Sequence, residues 1–143
     1  MTKNRKINPP GSFCLKADGF SMRPEILPGD KLYISALHPE ELRIGDVFVF
    51  KKNGRLIAHR ILKNFLHERR FLEKGDGKFQ PYFVDYEDVI GKVIRVERDE
   101  ASRELDRPSQ LLRSRFIAFC SLNKYRLIIF LSQIKRRMES IAF

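Results

Sequence analysis

The sequence is poor in the features that mark several common classes of protein. It has only two cysteines, Cys14 and Cys120, too few for a disulfide scaffold. Neither lies in a CxxC pair or near a spaced histidine, which argues against a zinc site. The longest apolar runs, residues 116–120 and 127–131, have five residues each, whereas a membrane-spanning helix needs roughly 20. Residues 1–12 contain no apolar segment, so we expect no signal peptide and no membrane anchor there.

Acidic residues are also scarce relative to basic ones. The 143 residues include 28 Lys+Arg and 18 Asp+Glu, a net charge of +10. Residues 101–143 contain nine basic and three acidic side chains and therefore hold most of that surplus. Such a surplus favours an anionic partner, either a nucleic acid or a lipid surface. With 43% hydrophobic and 11% aromatic residues, the chain has enough apolar material for a globular core.

Most of the chain has the pattern of short β-strands. Runs rich in β-branched or aromatic residues alternate with turn signals at Pro28-Gly29-Asp30, Gly45-Asp46, Asn53-Gly54 and residues 75–77. The predicted strands are residues 13–17, 31–35, 46–51, 55–62, 69–74 and 89–97. This spacing predicts a mainly β chain with one compact antiparallel β domain over residues 13–100. A flexible N-terminus, residues 1–12, precedes it.

The C-terminal segment, residues 101–143, is predicted to be a basic amphipathic helical tail. Pro108 can open a helix, apolar residues then recur at helical spacing, and Asn123-Lys124 is a candidate break between two helices. Two interpretations stay open: the tail packs on the β domain, or residues 108–143 lie on an anionic membrane. An oligomer contact or a nucleic-acid contact is a weaker alternative.

Three segments contain residues suited to nucleophilic catalysis: residues 19–30 with Ser21, residues 57–62 with His59, and residues 73–77 with Asp76. A serine hydroxyl needs a positioned base to remove its proton. Histidine is suited to that task, and a carboxylate can orient the imidazole and stabilise its cation. Strict alternation puts His59 on one face of its strand and Arg60 on the other.

These segments resemble the conserved boxes of the signal-peptidase and LexA-type serine peptidase superfamily. GFSMRPEILPGD resembles its nucleophile box, RIGDVFVF its Gly-Asp strand, EKGDG its Lys-Gly-Asp box, and VIGKVIRVE its closing strand. The boxes occur in the family's order across roughly residues 13–98. The segment His59-Arg60 is similar to the histidine branch, which includes archaeal and endoplasmic-reticulum signal peptidases, rather than the branch that uses a lysine base.

The resemblance implies roles for individual residues. Ser21 is implied as the nucleophile and His59 as the general base. The oxyanion would be held mainly by backbone N–H groups, because the residue two before the nucleophile is Gly19. Asp76 is favoured as the acidic third member and Asp85 is the alternative. A dyad without a carboxylate also stays open, because Tyr82 occupies the position of another acid in that branch.

The resemblance also implies a function. We expect a serine endopeptidase that binds an extended protein or peptide substrate and needs no cofactor or metal. Met22 and Pro24 are expected to shape the substrate groove. The alternatives are a non-catalytic peptide-binding β domain and a LexA-type self-cleaving regulator fragment, although nucleic-acid binding is disfavoured. The expected location is the cytoplasm or the surface of a membrane.

Overall fold

The computed structural model describes residues 11–141, which form an antiparallel sheet of eight strands followed by one helix. The strands are β1 (Ser12–Lys16), β2 (Lys31–Ser35), β3 (Val47–Lys52), β4 (Arg55–Phe65), β5 (Arg70–Lys74), β6 (Tyr82–Asp85), β7 (Val89–Arg98) and β8 (Ala101–Glu104), and the helix is α1 (Pro108–Ile141). The mainly β, antiparallel fold predicted from the sequence is confirmed. The predicted flexible segment lies outside the described residues except for residues 11 and 12.

The sheet runs in the order β1-β2-β7-β3-β4-β5-β6, and β8 pairs with β7. β3 is a central strand with both faces buried, which explains its unbroken apolar run. Val47 and Val49 pack in one hydrophobic cluster, which also includes Met22, and Phe48 and Phe50 pack in a second cluster with Phe71 and Tyr86 on the opposite face. This alternation is the period of two expected of a strand. The two clusters hold the strands on which the candidate site residues lie.

The turn between β3 and β4 has the predicted hairpin form. Asn53 and Gly54 both have positive φ, 51° and 74°, as a two-residue type I′ turn requires. The turn fixes the register in which Phe48 lies opposite His59 and Val47 opposite Arg60. A local sequence signal therefore determines which face of the sheet the histidine occupies.

α1 is a single helix of 34 residues, so the predicted break at Asn123-Lys124 is wrong. Its N-terminal half packs against the β domain: Ala118 is buried, and a Cβ on Gly45 would lie 2.8 Å from the backbone nitrogen of Arg115. No helix among residues 11–141 combines the length and apolar character needed to cross a membrane.

The turn before β2 is held by an ion pair that should make stability depend on pH. Arg98 donates to Asp30 at 2.8 and 2.6 Å, and these hydrogen bonds hold the pKa of the Asp30 carboxyl below its usual value. A lowered folded-state pKa stabilises the fold above the unfolded pKa of about 3.9, and this contribution is lost as the pH falls through the folded value.

We therefore expect Arg98→Gln to lower the free energy of unfolding at pH 7 by more than it does below pH 4. Urea unfolding of both proteins across this range gives the difference directly, and carboxyls that both proteins share cancel from it. A difference that stayed constant down to pH 2 would contradict the role of this ion pair.

Candidate active site

Ser21 lies in the turn-rich segment between β1 and β2, and its neighbours fix it in place. The next residue, Met22, is 3% exposed and belongs to the first hydrophobic cluster. The backbone turns tightly here, with the N–H of Arg23 donating to the carbonyl of Phe20 at 3.2 Å. Ser21 itself is half-buried, so its hydroxyl is held at the surface of the domain by a side chain anchored in the core.

His59 on β4 is in hydrogen-bond contact with Ser21. Its Nε2 lies 3.0 Å from the Ser21 Oγ, and its imidazole meets the ring of Phe50 edge-on with the centroids 5.9 Å apart. The two residues predicted as nucleophile and base are therefore brought together from 38 residues apart. Their separation is within the range expected of a nucleophile and its base.

The carboxylate that contacts His59 belongs to Glu73, a residue that is not among those predicted from the sequence. The Glu73 Oε2 lies 2.5 Å from the His59 Nδ1, and Glu73 is 1% exposed. A carboxylate at this position accepts a hydrogen bond from the Nδ1–H, which leaves the unprotonated Nε2 free to accept one from the Ser21 hydroxyl. One sequence signal was available, because alternation along β5 places Glu73 on the same inward face as Phe71.

Asp76 occupies a different place from the one predicted. It lies in the turn after β5, where its two carboxylate oxygens accept hydrogen bonds from Arg60 at 2.8 and 2.6 Å. The guanidinium of Arg60 is almost fully buried and also donates to the carbonyl of Gly45 at 2.9 Å. Because Arg60 and His59 lie on opposite faces of β4, a carboxylate paired with Arg60 is directed away from the imidazole. The carboxylate in hydrogen-bond contact with His59 is therefore that of Glu73, and Asp76, which the sequence favoured for that position, is bound to Arg60 instead.

The turn that contains Asp76 closes over Ser21, and its glycines make that approach possible. A Cβ on Gly75 would lie 2.4 Å from the carbonyl oxygen of Ser21 and 3.0 Å from the His59 Nε2. The N–H of Gly77 donates to the same carbonyl at 2.9 Å. Only a residue without a side chain fits at position 75, so the Gly-Asp-Gly segment can pack directly against the backbone of Ser21.

Two further positions considered for the acid have other surroundings. Asp85 ends β6, where it pairs in register with Arg70, and Arg70 lies opposite Phe65 at the far end of β4. Six residues along a strand correspond to roughly 20 Å, so Asp85 is remote from His59. Tyr82 lies opposite Glu73 and is about half exposed.

Met22 and Pro24, the two residues predicted to shape the substrate groove, lie in different clefts. Met22 lines a cleft of about 750 Å³ together with Ser21 and His59. Pro24 is exposed and lines a separate cleft with Arg98 and Arg103. The structure thus brings Met22 to the Ser21 cleft and places Pro24 outside it, because the chain turns between the two residues.

The Ser21 cleft is bordered by an unpaired strand edge. β3 pairs with β4 along Arg55–Arg60, whereas β5 pairs with β4 only from Arg60 onward. Within the described part of the chain, the second edge of residues 55–59 therefore has no strand partner. These five residues all line the cleft.

Lys74, next to Glu73, binds backbone carbonyls in the turn that follows β5. Its ammonium donates to the carbonyl of Lys78 at 2.7 Å and to that of Gly75 at 3.2 Å, which braces the turn over Ser21. Burial lowers the pKa of Lys74, against the attraction of Asp76. For residues 11–141, no group of three or more His, Cys, Asp or Glu side chains is arranged to hold a metal ion.

Comparison with known proteins gives matches of two kinds. Residues 2–94 match the family model described as Peptidase S24-like. The chain is also 32% identical over 88 residues to the signal peptidase complex catalytic subunit SEC11C of Homo sapiens, Mus musculus and Canis lupus familiaris. The aligned region is 50% of this chain and 45% of each relative, so the chain spans about half the length of the curated relatives it matches.

Proposed function

Because this chain belongs to the Peptidase S24-like family, we propose that it is a serine endopeptidase with Ser21 as nucleophile, His59 as general base and Glu73 as the residue that orients His59. The observation that supports this proposal most directly is the unbroken line of contacts from the Ser21 Oγ through His59 to the Glu73 carboxylate. The family match and the similarity to SEC11C together support a signal-peptidase-like protease, and they bear out the resemblance of the sequence motifs to that superfamily.

The proposed reaction follows from the positions of these atoms. The His59 Nε2 removes the proton of Ser21 as the Oγ attacks the carbonyl carbon of the scissile peptide bond. When the tetrahedral intermediate collapses, the carbon–nitrogen bond breaks and His59 returns the proton to the leaving amine. A water molecule, deprotonated by His59, then hydrolyses the ester on Ser21 and restores the free hydroxyl.

Glu73 stabilises the charge that forms on the imidazole during both steps. Its carboxylate is buried, and a charge-assisted hydrogen bond is stronger where water is excluded. The oxyanion needs donors too. Gly19 offers no side-chain hydroxyl, so we assign that role to backbone N–H groups around Ser21.

The substrate is proposed to bind as an extended strand along the unpaired edge of residues 55–59. An added strand gains main-chain hydrogen bonds from such an edge, and alternate side chains then enter the cleft. Met22 forms part of the apolar lining beside Ser21, and a flexible thioether suits a pocket of irregular shape. By analogy with the SEC11C relatives, we propose signal-peptide-like segments as the substrate class.

Trapping the acyl-enzyme tests this function. The chain is incubated with an activated ester of a short alanine-containing peptide, quenched with acid and digested with trypsin. We expect the acyl mass on the fragment of residues 17–31, in which Ser21 is the single hydroxyl-bearing residue.

The His59→Ala variant should accumulate no adduct, since the serine then lacks its base. Ser102→Ala, which removes an exposed serine on β8, should label as the wild type does. Peptide binding without any adduct or hydrolysis would favour the non-catalytic peptide-binding alternative.

We also propose that α1 makes peripheral contact with an anionic membrane. The supporting observation is the charge of this helix. Among residues 108–140 there are seven Lys and Arg side chains and one acidic side chain, Glu139. A helix with a surplus of positive charge and exposed apolar residues suits the interface of an anionic bilayer.

A further inference from the structure

α1 has two apolar faces, and only one of them contacts the β domain. The inward face includes Leu111, Ala118 and Leu122, which are buried or half-buried. This contact ends near Tyr125: between residues 126 and 140 every side chain except Ser132 is exposed. About half of the helix therefore extends beyond the β domain.

The outward face carries an apolar stripe in two parts, residues 112–119 and 127–138, which are separated by the polar side chain of Asn123. Its eight members are each 39% or more exposed, and at 100° per residue they fall within a sector of about 120°. The members of this stripe are Leu112, Phe116, Phe119, Leu127, Phe130, Leu131, Ile134 and Met138. An uncovered apolar surface of this length marks an interaction site.

Two rows of cations flank the stripe. Arg113, Lys124 and Lys135 lie along one side, and Arg115, Arg126 and Arg137 lie along the other. In the first row, Arg113 pairs with the buried carboxylate of Glu25 at 3.1 Å and Lys135 lies 3.9 Å from Glu139. Successive members of each row are eleven residues apart, which is close to three helical turns. The rows therefore follow the stripe with little drift, so that the outward face repeats the same arrangement three times.

This arrangement fits an anionic bilayer better than a second copy of the chain. In a helix dimer the flanking positions pair with opposite charges, but here both flanks are cationic and would repel their counterparts. At a bilayer, apolar side chains enter the acyl boundary, and flanking Lys and Arg reach the phosphates. The positive charge on both flanks therefore favours the lipid surface, with the row of Arg115, Arg126 and Arg137 directed to the phosphates.

The candidate active site lies beside one of these rows. The ammonium of Lys124 is 5.4 Å from the centre of the Phe79 ring, and Phe79 is 77% exposed. Two residues earlier, the N–H of Gly77 donates to the carbonyl of Ser21. A short segment thus connects the edge of the stripe to the nucleophile.

We propose that the outward face of α1 lies in the interface of an anionic bilayer and holds the Ser21 cleft at its surface, so that the substrates are peptides tethered to the same membrane. The membrane placement stands on the geometry of α1. The substrate class rests in addition on the peptidase function proposed above.

Tryptophan substitution tests the orientation of the helix, because the chain contains no tryptophan of its own. Phe116→Trp and Phe130→Trp report on the stripe, Phe79→Trp reports on the edge of the site, and Tyr125→Trp is the inward control. With phosphatidylcholine vesicles containing phosphatidylglycerol, we expect a blue shift and quenching by brominated acyl chains at the first three positions. Tyr125→Trp should remain unquenched.

Equal quenching at all four positions, or the same binding to phosphatidylcholine alone, would overturn the proposal. So would a concentration-dependent dimer that buries the two stripe probes without vesicles.

Removing one row of cations tests whether these charges contribute to binding of the anionic bilayer. Arg115→Gln, Arg126→Gln and Arg137→Gln combined should weaken partition to the anionic vesicles about 100-fold, since each cation near such a surface contributes about 1 kcal/mol. The control combines Arg43→Gln, Lys51→Gln and Arg69→Gln, which remove the same charge from exposed positions on the β domain. Equal loss in both variants would show a net-charge effect and overturn the assigned face.

Activity separates this inference from the peptidase proposal. The row variant should hydrolyse a soluble peptide as the wild type does, but it should lose the advantage on a lipid-tethered peptide in anionic vesicles. If the wild type cleaves neither peptide, the peptidase proposal fails, and the tryptophan measurement still decides the membrane placement. If both proteins cleave tethered and soluble peptides at equal rates, the inferred substrate class is wrong.

Discussion

Replacing Ser21 by alanine should lower kcat for peptide hydrolysis by about 10⁶-fold, because loss of the nucleophile from a Ser-His site has roughly that effect. The hydroxyl lies 3.0 Å from the His59 Nε2, and among residues 11–141 no other side-chain hydroxyl is within hydrogen-bond distance of that imidazole. His59→Ala should cause a loss of the same order. The measurement is kcat and KM on an extended peptide, with binding followed separately.

The loss should fall on kcat rather than on KM. Removing the Ser21 oxygen leaves the strand edge of residues 55–59 and the cleft intact, so the peptide should still bind. Ser102→Ala is the matched control and should keep full activity. Unchanged urea unfolding curves would establish that each variant is folded. Hydrolysis by folded Ser21→Ala within tenfold of the wild-type rate would refute the assigned nucleophile.

The fold was largely predictable because local signals and the global sheet agree. The six predicted strands begin within one residue of β1 to β5 and β7, and the Asn53-Gly54 turn sets the central hairpin. The two strands that were missed have weak local patterns. β8 reads Ala-Ser-Arg-Glu, with little apolar content, and forms by pairing with β7. β6 has only four residues and forms by pairing with β5. Tertiary pairing determines both.

The continuity of α1 has a similar explanation. Asn123 costs less than 1 kcal/mol in a helix interior, and Lys124 is a good helix former, so neither residue stops the helix. The eleven-residue spacing of cations runs across this point, and it is visible only when the helix is treated as one element. Asn123-Lys124 therefore looks like a break when it is considered locally, but Lys124 is one of the regularly spaced cations of a single helix.

The site was predictable in part. The segments around Ser21 and His59 follow from their local motifs, and the structure brings these residues together. The identity of the acid does not follow, because sequence alternation assigns a side chain to a face without giving its partner. Asp76 and Glu73 both lie near the end of β5. The buried guanidinium of Arg60 binds Asp76, which leaves the inward-facing Glu73 for His59.

Three alanine substitutions should separate the candidate acids. Glu73→Ala should lower kcat by about 10⁴-fold, the effect seen when the orienting carboxylate of a Ser-His site is removed. Asp76→Ala should instead lower the free energy of unfolding by about 3–5 kcal/mol, because it leaves the buried charge of Arg60 unpaired. Asp85→Ala, at an exposed strand end, should change neither quantity by much. Steady-state kinetics and urea unfolding on each variant give both readouts.

The pattern across the three variants matters more than any single value. Because Asp76 lies in the turn over Ser21, its variant should be assayed where unfolding curves show it to be folded, and there it should keep activity well above that of Glu73→Ala. Glu73→Gln provides a further check: the amide keeps the shape of the carboxylate but not its charge, so it should bind peptide normally and turn over slowly. If folded Asp76→Ala lost 10⁴-fold in kcat while Glu73→Ala stayed active, the carboxylate that assists His59 would be Asp76, and the contact with Glu73 would be structural.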